Sequence, residues 1–200
     1  MRLEGTGLGY RYEKSGAWTF RERSMSVERG EVVGLAGPSG CGKTTLGRLL
    51  AGNAMVDEGA VLCGGRPLPA SGYSPVQMVF QHPEKAVNPR WRMRRVVNEG
   101  GVKDESLLAA LGIASDWLDR RPDELSGGEL QRFCIARALG ARTQFLIADE
   151  MTTMLDALSQ AQIWQAVLQI ARERQLGLLV ISHDRALLNR VCDRVVEWGG

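Results

Sequence analysis

The chain has 200 residues, 44% of them hydrophobic, which is enough for one large domain, or two small lobes, around a buried core. Its formal net charge of +2 is too small to indicate a strong electrostatic footprint, so no nucleic-acid partner is expected. No stretch approaches the roughly 18 unbroken apolar residues of a membrane span, and the first residues lack the apolar region of a signal peptide, so any membrane role is expected to be peripheral.

The first part of the chain is rich in predicted strands, at about 8–12, 18–27 and 59–63. An apolar segment at 31–36 leads directly into a glycine-rich turn and then into a predicted helix at 43–51. This order is a strand, loop and helix unit, in which the turn lies at the end of a strand.

The remainder of the chain alternates between helices and strands after a helical insertion. From about residue 88 to residue 139 the pattern is mainly helical, which indicates an inserted lobe. Apolar runs at 145–148 and 178–181 show no polar alternation and are typical of strands buried on both faces of a parallel sheet. A long helix is predicted between them at about 156–174, and a final helix and strand follow.

A phosphate-binding loop follows the strand at 31–36. The segment satisfies the pattern G-x-x-x-x-G-K-[ST], in which glycines let backbone N–H groups surround phosphate oxygens at a helix N-terminus. Lys43 supplies a positive charge to the phosphates, and the Thr44 hydroxyl can ligate Mg²⁺. The predicted ATP-binding loop comprises Gly37, Pro38, Ser39, Gly40, Cys41, Gly42, Lys43, Thr44 and Thr45. The loop alone leaves a kinase, a GTPase, a helicase and a transporter ATPase open.

Two carboxylates follow the apolar run at 145–148. Because this run is a predicted strand, Asp149 and Glu150 are expected at the carboxyl edge of the sheet, where ligands bind in such folds. Asp149 is predicted to hold Mg²⁺, directly or through water, and Glu150 to activate the water that attacks the γ-phosphate. A strand followed by two acids is common in solvated loops, so the interpretation depends on the phosphate loop nearby in the fold.

The segment 125–132 reads LSGGELQR and predicts the start of a helix. Ser126 can cap this helix, while Gly127 and Gly128 permit a close approach of the backbone to an anion. The physical reading alone is a well-capped helix in the inserted lobe. The segment also resembles the signature motif of the ATP-binding cassette (ABC) family, usually written LSGGQ, with Glu129 at the final position.

The resemblance to the ABC family extends over nearly all 200 residues, with the motifs in the family's order. It implies that Tyr12 stacks on adenine, although Tyr10 lies two positions away and could compete. It also implies that Gln81 senses Mg²⁺ and the γ-phosphate and faces a membrane partner. Asp156 would lie in the D-loop at the nucleotide, and His183 would be the catalytic switch histidine.

The fold implied by the resemblance is an α/β P-loop NTPase of the ABC type, with a mainly parallel core sheet, an N-terminal antiparallel β subdomain and an inserted helical subdomain. Residues 1–200 would form one ATPase domain, with 1–87 and 140–200 as the core plus β subdomain and about 88–139 as the helical subdomain. Two such domains, identical or different, dimerise head to tail in this family. The phosphate loop of one chain and Ser126 of another would then enclose one ATP.

A narrower resemblance is to the oligopeptide, dipeptide and nickel importer ATPases. It is carried by VQMVFQHP at 76–83, AVNPR at 86–90, RPDE at 121–124 and LQR at 130–132. It implies Mg-ATP hydrolysis that powers import through separate membrane permease subunits, with an extracytoplasmic solute-binding protein as a further partner. The chain would be cytoplasmic and peripheral on the inner face of the cell membrane. Many importers of this group continue into a C-terminal segment, so a regulatory or substrate-specific tail is expected beyond Gly200 or is missing.

Three rival classes are considered. A nucleotide-binding regulator that does not turn over is disfavoured, because Lys43, Asp149, Glu150 and His183 are all present. A soluble ABC ATPase of DNA repair, chromosome maintenance or translation normally brings a second cassette or a long coiled-coil insertion, and neither is evident. A P-loop kinase usually needs an acceptor pocket and an arginine-rich lid, whereas this chain presents a signature helix and a switch histidine.

Two residues depart from the family pattern. Met151 stands where the family usually has proline, and Met154 stands where a small residue is common, but neither change removes a reactive group.

Basic and thiol side chains add secondary expectations. The arginines around Trp91 at 90–95 favour a solvated surface or, alternatively, contact with a short helix of a membrane subunit. The cysteines are far apart and form no CxxC pair, which disfavours a zinc site or a disulfide framework and favours a reducing cytoplasm. These packing cysteines are Cys41, Cys63, Cys134 and Cys192.

Overall fold

The computed structural model describes residues 1–102 and 104–199. An antiparallel sheet with the strand order β2-β1-β4-β5 and a parallel sheet with the order β6-β7-β8-β3-β9 form the framework. The antiparallel strands are β1 (Arg2–Tyr10), β2 (Phe20–Glu28), β4 (Glu58–Cys63) and β5 (Arg66–Pro67). The parallel strands are β3 (Val32–Ala36), β6 (Val76–Val79), β7 (Phe145–Asp149), β8 (Gly177–Ile181) and β9 (Arg194–Glu197).

Helices cover the parallel sheet and form the inserted lobe. They are α1 (Lys43–Leu50), α2 (Met93–Glu99), α3 (Glu105–Ala110), α4 (Gly127–Ala138), α5 (Ala157–Arg174) and α6 (Arg185–Val191). Short 3₁₀ turns lie at Pro83–Lys85, Ser115–Asp119 and Pro122–Glu124. Helices α2 to α4 fall within the predicted insertion, and the domain limits at residues 87 and 140 stay a prediction. No helix in the described part of the chain is long and apolar enough to cross a bilayer.

The central strand β7 is buried on both faces, as its unbroken apolar sequence predicts. Phe145 and Ile147 face a hydrophobic cluster that includes α1 and the antiparallel sheet. Leu146 and Ala148 face the opposite cluster, which includes α4 and α5. Strand β8 alternates between the same two clusters. The parallel sheet therefore separates two cores and is held rigidly between them, so its strand ends are well fixed.

The largest error in the predicted strand limits is at the N-terminus. Strand β1 begins at Arg2 and ends at Tyr10, whereas the sequence predicts a strand at 8–12. The early part of β1 is rich in glycine, which has a low β-propensity and conceals the strand. At Gly5 the backbone lies close to the Leu8 side chain, and a Cβ atom would lie 2.6 Å from Leu8 Cδ1, so a larger residue would require that side chain to shift. Tyr12 consequently lies in the loop after the strand.

The topology brings the predicted motifs to one edge of the sheet. Strands β6, β7, β8 and β3 are neighbours and all parallel, so their carboxyl ends lie side by side. Gln81 follows β6, Glu150 follows β7, His183 follows β8 and the loop 37–42 follows β3. This edge is where ligands bind in open parallel sheets.

Candidate functional site

The loop 37–42 depends on glycine at specific points. Gly40 and Gly42 have φ angles of 82° and 93°, in the left-handed region that favours glycine. At Gly37, a Cβ atom would lie 2.1 Å from the carbonyl oxygen of Trp198. Helix α1 begins at Lys43, and its N-cap Gly42 makes no side-chain cap hydrogen bond. The N-terminus of α1 can therefore receive an anion.

The Lys43 ammonium lies against its own loop. Its Nζ donates to the carbonyl oxygens of Gly37 at 2.7 Å and Pro38 at 2.8 Å. The Cys41 thiol of the same loop lies 3.4 Å from the carbonyl oxygen of Trp198, which packs the loop against the strand β9 end. The loop therefore folds around the Lys43 ammonium group, and a positive charge at this position favours the binding of an anion.

Thr44 and Asp149 form a hard-oxygen pair beneath the loop. The Thr44 hydroxyl donates to Asp149 Oδ1 at 3.2 Å. Asp149 is only 4% exposed, and burial raises the pKa of its carboxyl, an effect that the Thr44 hydrogen bond opposes and the nearby Glu150 reinforces. A hydroxyl and a carboxylate are the oxygen ligands that Mg²⁺ prefers, so these two residues fit that ion.

The burial of Asp149 leads to a prediction about stability. Because the pKa is raised on folding, the acid contributes stability below its unfolded pKa, and this contribution is lost as the pH rises through the folded pKa. At pH 7 the nucleotide-free protein with Asp149→Asn should therefore unfold at a higher temperature than wild type. The difference should shrink below about pH 4, near the ordinary pKa of aspartate.

Thermal unfolding between pH 3 and pH 8, followed by circular dichroism, tests this expectation. Asp156→Asn is the matched control, because hydrogen bonds from Ser159 lower the pKa of the exposed Asp156 carboxyl. The control should unfold at the same temperature as wild type at pH 7, or slightly lower. A drop in the unfolding temperature of Asp149→Asn at pH 7 would contradict the account.

Glu150 and His183 are in direct contact. Glu150 Oε1 accepts the backbone N–H of His183 at 2.9 Å and lies 2.8 Å from His183 Nδ1. Glu150 has a positive φ of 50°, and its backbone N–H donates to the Ile181 carbonyl oxygen at 3.0 Å. Its side chain is 14% exposed and that of His183 is 70% exposed. The pair therefore has a sheltered carboxylate and a solvent-facing imidazole.

The second carboxylate oxygen of Glu150 makes no hydrogen bond with the described residues. Glu150 Oε2 is buried, and no described residue donates a hydrogen bond to it. A buried carboxylate oxygen without a partner is costly, and this one lies at the carboxyl edge of the sheet, where ligands bind in such folds. Because Oε1 is held by His183, the orientation of the free oxygen is fixed.

Tyr12 is connected to the start of α1. Its hydroxyl lies 2.8 Å from Thr45 Oγ1, and its ring is edge-on to Tyr10 with 5.3 Å between the centroids. Tyr12 is 68% exposed, whereas Tyr10 is partly buried. Of the two tyrosines left open by the sequence, Tyr12 is the one that presents a ring to solvent beside the phosphate loop.

The signature segment forms a capping box. Ser126 is the N-cap of α4, where its Oγ accepts the Glu129 N–H at 3.2 Å, while Glu129 Oε2 accepts the Ser126 N–H at 2.8 Å. The predicted cap is confirmed. Ser126 and Gly127 are exposed, and a Cβ atom on Gly128 would lie 2.8 Å from Leu155 Cδ2. The signature thus borders the chain's own D-loop and leaves its polar start open.

The remaining predicted residues lie apart from these pairs. Gln81 is exposed just beyond β6. Asp156 is the exposed N-cap of α5 and accepts the Ser159 N–H at 3.0 Å. The structure therefore joins Tyr12 to Thr45, Thr44 to Asp149 and Glu150 to His183. The predicted contacts of Gln81, Ser126 and Asp156 with nucleotide or metal stay predictions.

Sequence reasoning missed two buried polar residues. Gln131 on α4 donates to carbonyl oxygens of both Phe80 and Met151. Thr152 Oγ1 accepts Nε1 of Trp164 at 3.1 Å and Nε2 of Gln160 at 3.0 Å, which fixes the D-loop against α5. The burial of Gln131 could have been predicted from its position among apolar residues of the helix. Nothing in the local sequence indicates the contacts of Thr152.

The fold and this site define a P-loop nucleotide-binding domain with a helical insertion. Residues 20–153 match the ABC transporter family model, and the chain belongs to that family. It is therefore an ATP-binding and ATP-hydrolysing subunit of the transport ATPase class, and the predicted ABC-type fold is confirmed.

Several curated proteins are similar to the chain. The nickel import ATP-binding protein NikE of Rhodospirillum rubrum is 36% identical, with 88% of this chain and 70% of the relative covered. The protein of the same name from Escherichia coli K12 is 37% identical over 86% of this chain and 72% of its own length. The oligopeptide transport ATP-binding protein OppF of Streptococcus mutans is 35% identical, and the alignment covers 88% of this chain and 64% of OppF.

Solved structures support the fold. A dimeric bacterial ABC transporter cassette superposes with a TM-score of 0.84 at 20% identity. The superposition covers 98% of this chain and 94% of the cassette chain. A dimeric post-hydrolysis cassette bound to ADP and Pi superposes with a TM-score of 0.81 at 19% identity, with the same coverage. At these identities the similarity establishes the fold alone.

Proposed function

We propose that the chain hydrolyses Mg-ATP to power the import of nickel or peptides through separate membrane permease subunits. The similarity to nickel import and oligopeptide transport ATP-binding proteins supports the solute classes. The contact between Glu150 and His183, with one buried carboxylate oxygen free, is the observation that carries the catalytic part. In this role the chain is cytoplasmic and peripheral on the inner face of the membrane, and an extracytoplasmic binding protein delivers the solute.

Nucleotide binding in this proposal uses the edge formed by β3 and α1. The ATP phosphates occupy the loop from Gly37 to Thr45, where Lys43 exchanges its carbonyl contacts for phosphate oxygens. The adenine stacks on the exposed ring of Tyr12. Thr44 and Asp149 would hold Mg²⁺, and Gln81, in the loop after β6, would be a further ligand. When bound, the ion neutralises charge on the phosphate oxygens.

Hydrolysis in this proposal needs one base and one attacking water. Glu150 Oε2 accepts a proton as the water oxygen bonds to the γ-phosphorus. The bond from that phosphorus to the bridging oxygen breaks, and its electron pair leaves with ADP. His183 holds Glu150 Oε1 throughout, so the base keeps its orientation. Its exposed ring can also contact the γ-phosphate.

The second half of the site comes from another ATPase chain. Ser126 and Gly127 are exposed at the N-terminus of α4, which is suited to an anion. In the proposed head-to-tail dimer, these residues, Gly128 and Asp156 meet the nucleotide held by the opposing phosphate loop. ATP then closes the dimer and hydrolysis removes the bridge.

Solute uptake in the native cell tests the proposal. Deletion of the gene should lower the accumulation of radioactive nickel or of a toxic oligopeptide to a background level. The wild-type gene should restore uptake, whereas Lys43→Ala should not, because it removes the ammonium that contacts the phosphates. Normal uptake of both solutes after deletion would refute the proposed import role. Restoration by Lys43→Ala would refute the role of the phosphate loop.

A further inference from the structure

One face of the signature helix α4 holds the segment that follows β6. Gln131, Cys134 and Arg137 are spaced three residues apart, which places them along one face of a helix. Their side chains donate to carbonyl oxygens that are also spaced three residues apart, those of Phe80 at 3.1 Å, Pro83 at 3.9 Å and Ala86 at 2.7 Å. Helix and segment are therefore in register over the whole length of this contact.

The Cys134 contact is a weak but genuine donor contact. Burial raises the pKa of its thiol to about 11, so the sulfur keeps its proton at neutral pH. The Arg137 guanidinium adds a charged donor at the far end of the segment and also approaches Glu99 at 3.4 Å. The segment 80–86 is thereby attached to the inserted lobe rather than only to the end of β6.

Gln131 differs from the other two because it reaches a second loop. Its Nε2 also donates to the Met151 carbonyl oxygen at 2.8 Å. Phe80 directly precedes Gln81, and Met151 directly follows Glu150. Both acceptors are carbonyl oxygens, so the amide nitrogen must face them, and the side-chain orientation is unambiguous. One buried amide thus joins the two loops that carry the proposed Mg²⁺ sensor and the proposed base.

The burial of the Gln131 amide carries a cost as well as a gain. Gln131 is 2% exposed, and its Oε1 is buried without a partner among the described residues. An apolar side chain of similar shape would avoid the cost of this oxygen but would leave the carbonyl oxygens of Phe80 and Met151 without their donor. The two donated hydrogen bonds are therefore the feature that an apolar residue could not supply.

We infer that Gln131 is a positioning residue, which keeps Gln81 and Glu150 in fixed relation to the signature helix. Gln131 lies little more than one turn after Ser126 on the same short helix. A displacement of Ser126 by an opposing chain moves the Gln131 amide, and with it the loops on both sides. Closure of the dimer would then adjust the sensor and the base together. The inference rests on the roles proposed above for Gln81 and Glu150.

Hydrogen exchange and kinetics of Gln131→Met test the inference. Methionine keeps the approximate shape and removes both hydrogen bonds. We expect amide exchange to become at least fivefold faster in peptides covering 81–86 and 150–155, with 145–148 unchanged. We also expect kcat to fall about tenfold, as when catalytic geometry is loosened, while the Kd for ATP stays within twofold, since the phosphate loop is untouched.

Gln144→Met is the matched control. Gln144 directly precedes β7, at the opposite end of the strand from Glu150, and its Oε1 is also buried without a partner. The control should alter neither the exchange of the two loops nor kcat. If Gln131→Met fails to fold, Gln131→Leu replaces it, because leucine is also a good helix former and its apolar side chain cannot donate.

The outcomes separate this inference from the proposed function. Wild-type exchange in both loops for the Gln131 variant would overturn the inference, and so would an unchanged kcat or equal effects in the Gln144 control. A Glu150→Gln protein that still hydrolyses ATP would instead overturn the proposed base. The exchange measurement needs no turnover, so it decides the positioning role even for a chain that awaits a different partner ATPase.

Discussion

Glu150→Gln should lower Mg-dependent ATP turnover at least about 100-fold, the usual scale for loss of a general base, while ATP binding stays near that of wild type. The amide keeps the shape of the side chain, and its oxygen can still accept the N–H of His183. It cannot take a proton from water at neutral pH. Binding survives because the phosphate loop and Thr44 are unaltered. Turnover is measured with purified protein, and binding with a fluorescent ATP analogue.

The same variant should accumulate as an ATP-dependent dimer. When hydrolysis is blocked, the γ-phosphate stays in place and the bridge between the two chains persists. Light scattering with and without ATP measures the mass, and Glu105→Gln, on the exposed start of α3, controls for the loss of a carboxylate. Hydrolysis by Glu150→Gln near the wild-type rate would show that another group is the base. Monomeric variant protein at saturating ATP would rule out a dimer of identical chains.

The sequence predicts the positions of the candidate catalytic groups well because each follows a strand of one parallel sheet. The apolar runs before Asp149 and His183 identify β7 and β8, and the glycine-rich loop identifies the end of β3. Once the strands are parallel and adjacent, their following residues must meet at one edge. The apolar runs and the sheet topology thus place these residues at the same edge.

The side-chain contacts between these residues could not be predicted from the sequence, because they depend on geometry across the sheet. The positive φ of Glu150 turns its side chain back toward His183, and no composition or spacing rule foretells that angle. The contact between Tyr12 and Thr45 joins an irregular loop to a helix. Gln131 was overlooked because a glutamine in a helix is usually solvated.

The capping box at the start of α4, by contrast, can be predicted from the sequence. Ser126 followed by Glu129 is the S-x-x-E pattern in which each side chain accepts the other's backbone N–H. Glutamate at the last position of the signature is therefore structurally equivalent to glutamine, since either offers an oxygen to the Ser126 N–H. The departure from LSGGQ leaves the start of α4 intact.

Ser126→Arg should prevent dimer closure without preventing ATP binding to the single chain. In the Glu150→Gln background, an arginine at the exposed start of α4 would fill the space that the opposing nucleotide needs. Overpacking of about 1–3 kcal/mol weakens the dimer roughly 5- to 150-fold. Loss of the serine cap should also lower the free energy of unfolding by about 1 kcal/mol. Light scattering and the fluorescent ATP analogue measure dimer and binding separately.

Two further variants make the result specific to the start of α4. Ser126→Asn retains a good capping residue and adds no charge, so it should unfold close to wild type and disturb closure less than arginine. Ser115→Arg introduces the same bulk and charge at another exposed serine of the inserted lobe and should dimerise normally. Because the hydrogen bonds of Ser126 among the described residues are made with Glu129 and Leu130 of its own helix, it contributes none to its own chain's phosphate loop. A well-folded Ser126→Arg chain that had lost ATP binding would therefore contradict the division of one ATP site between two chains.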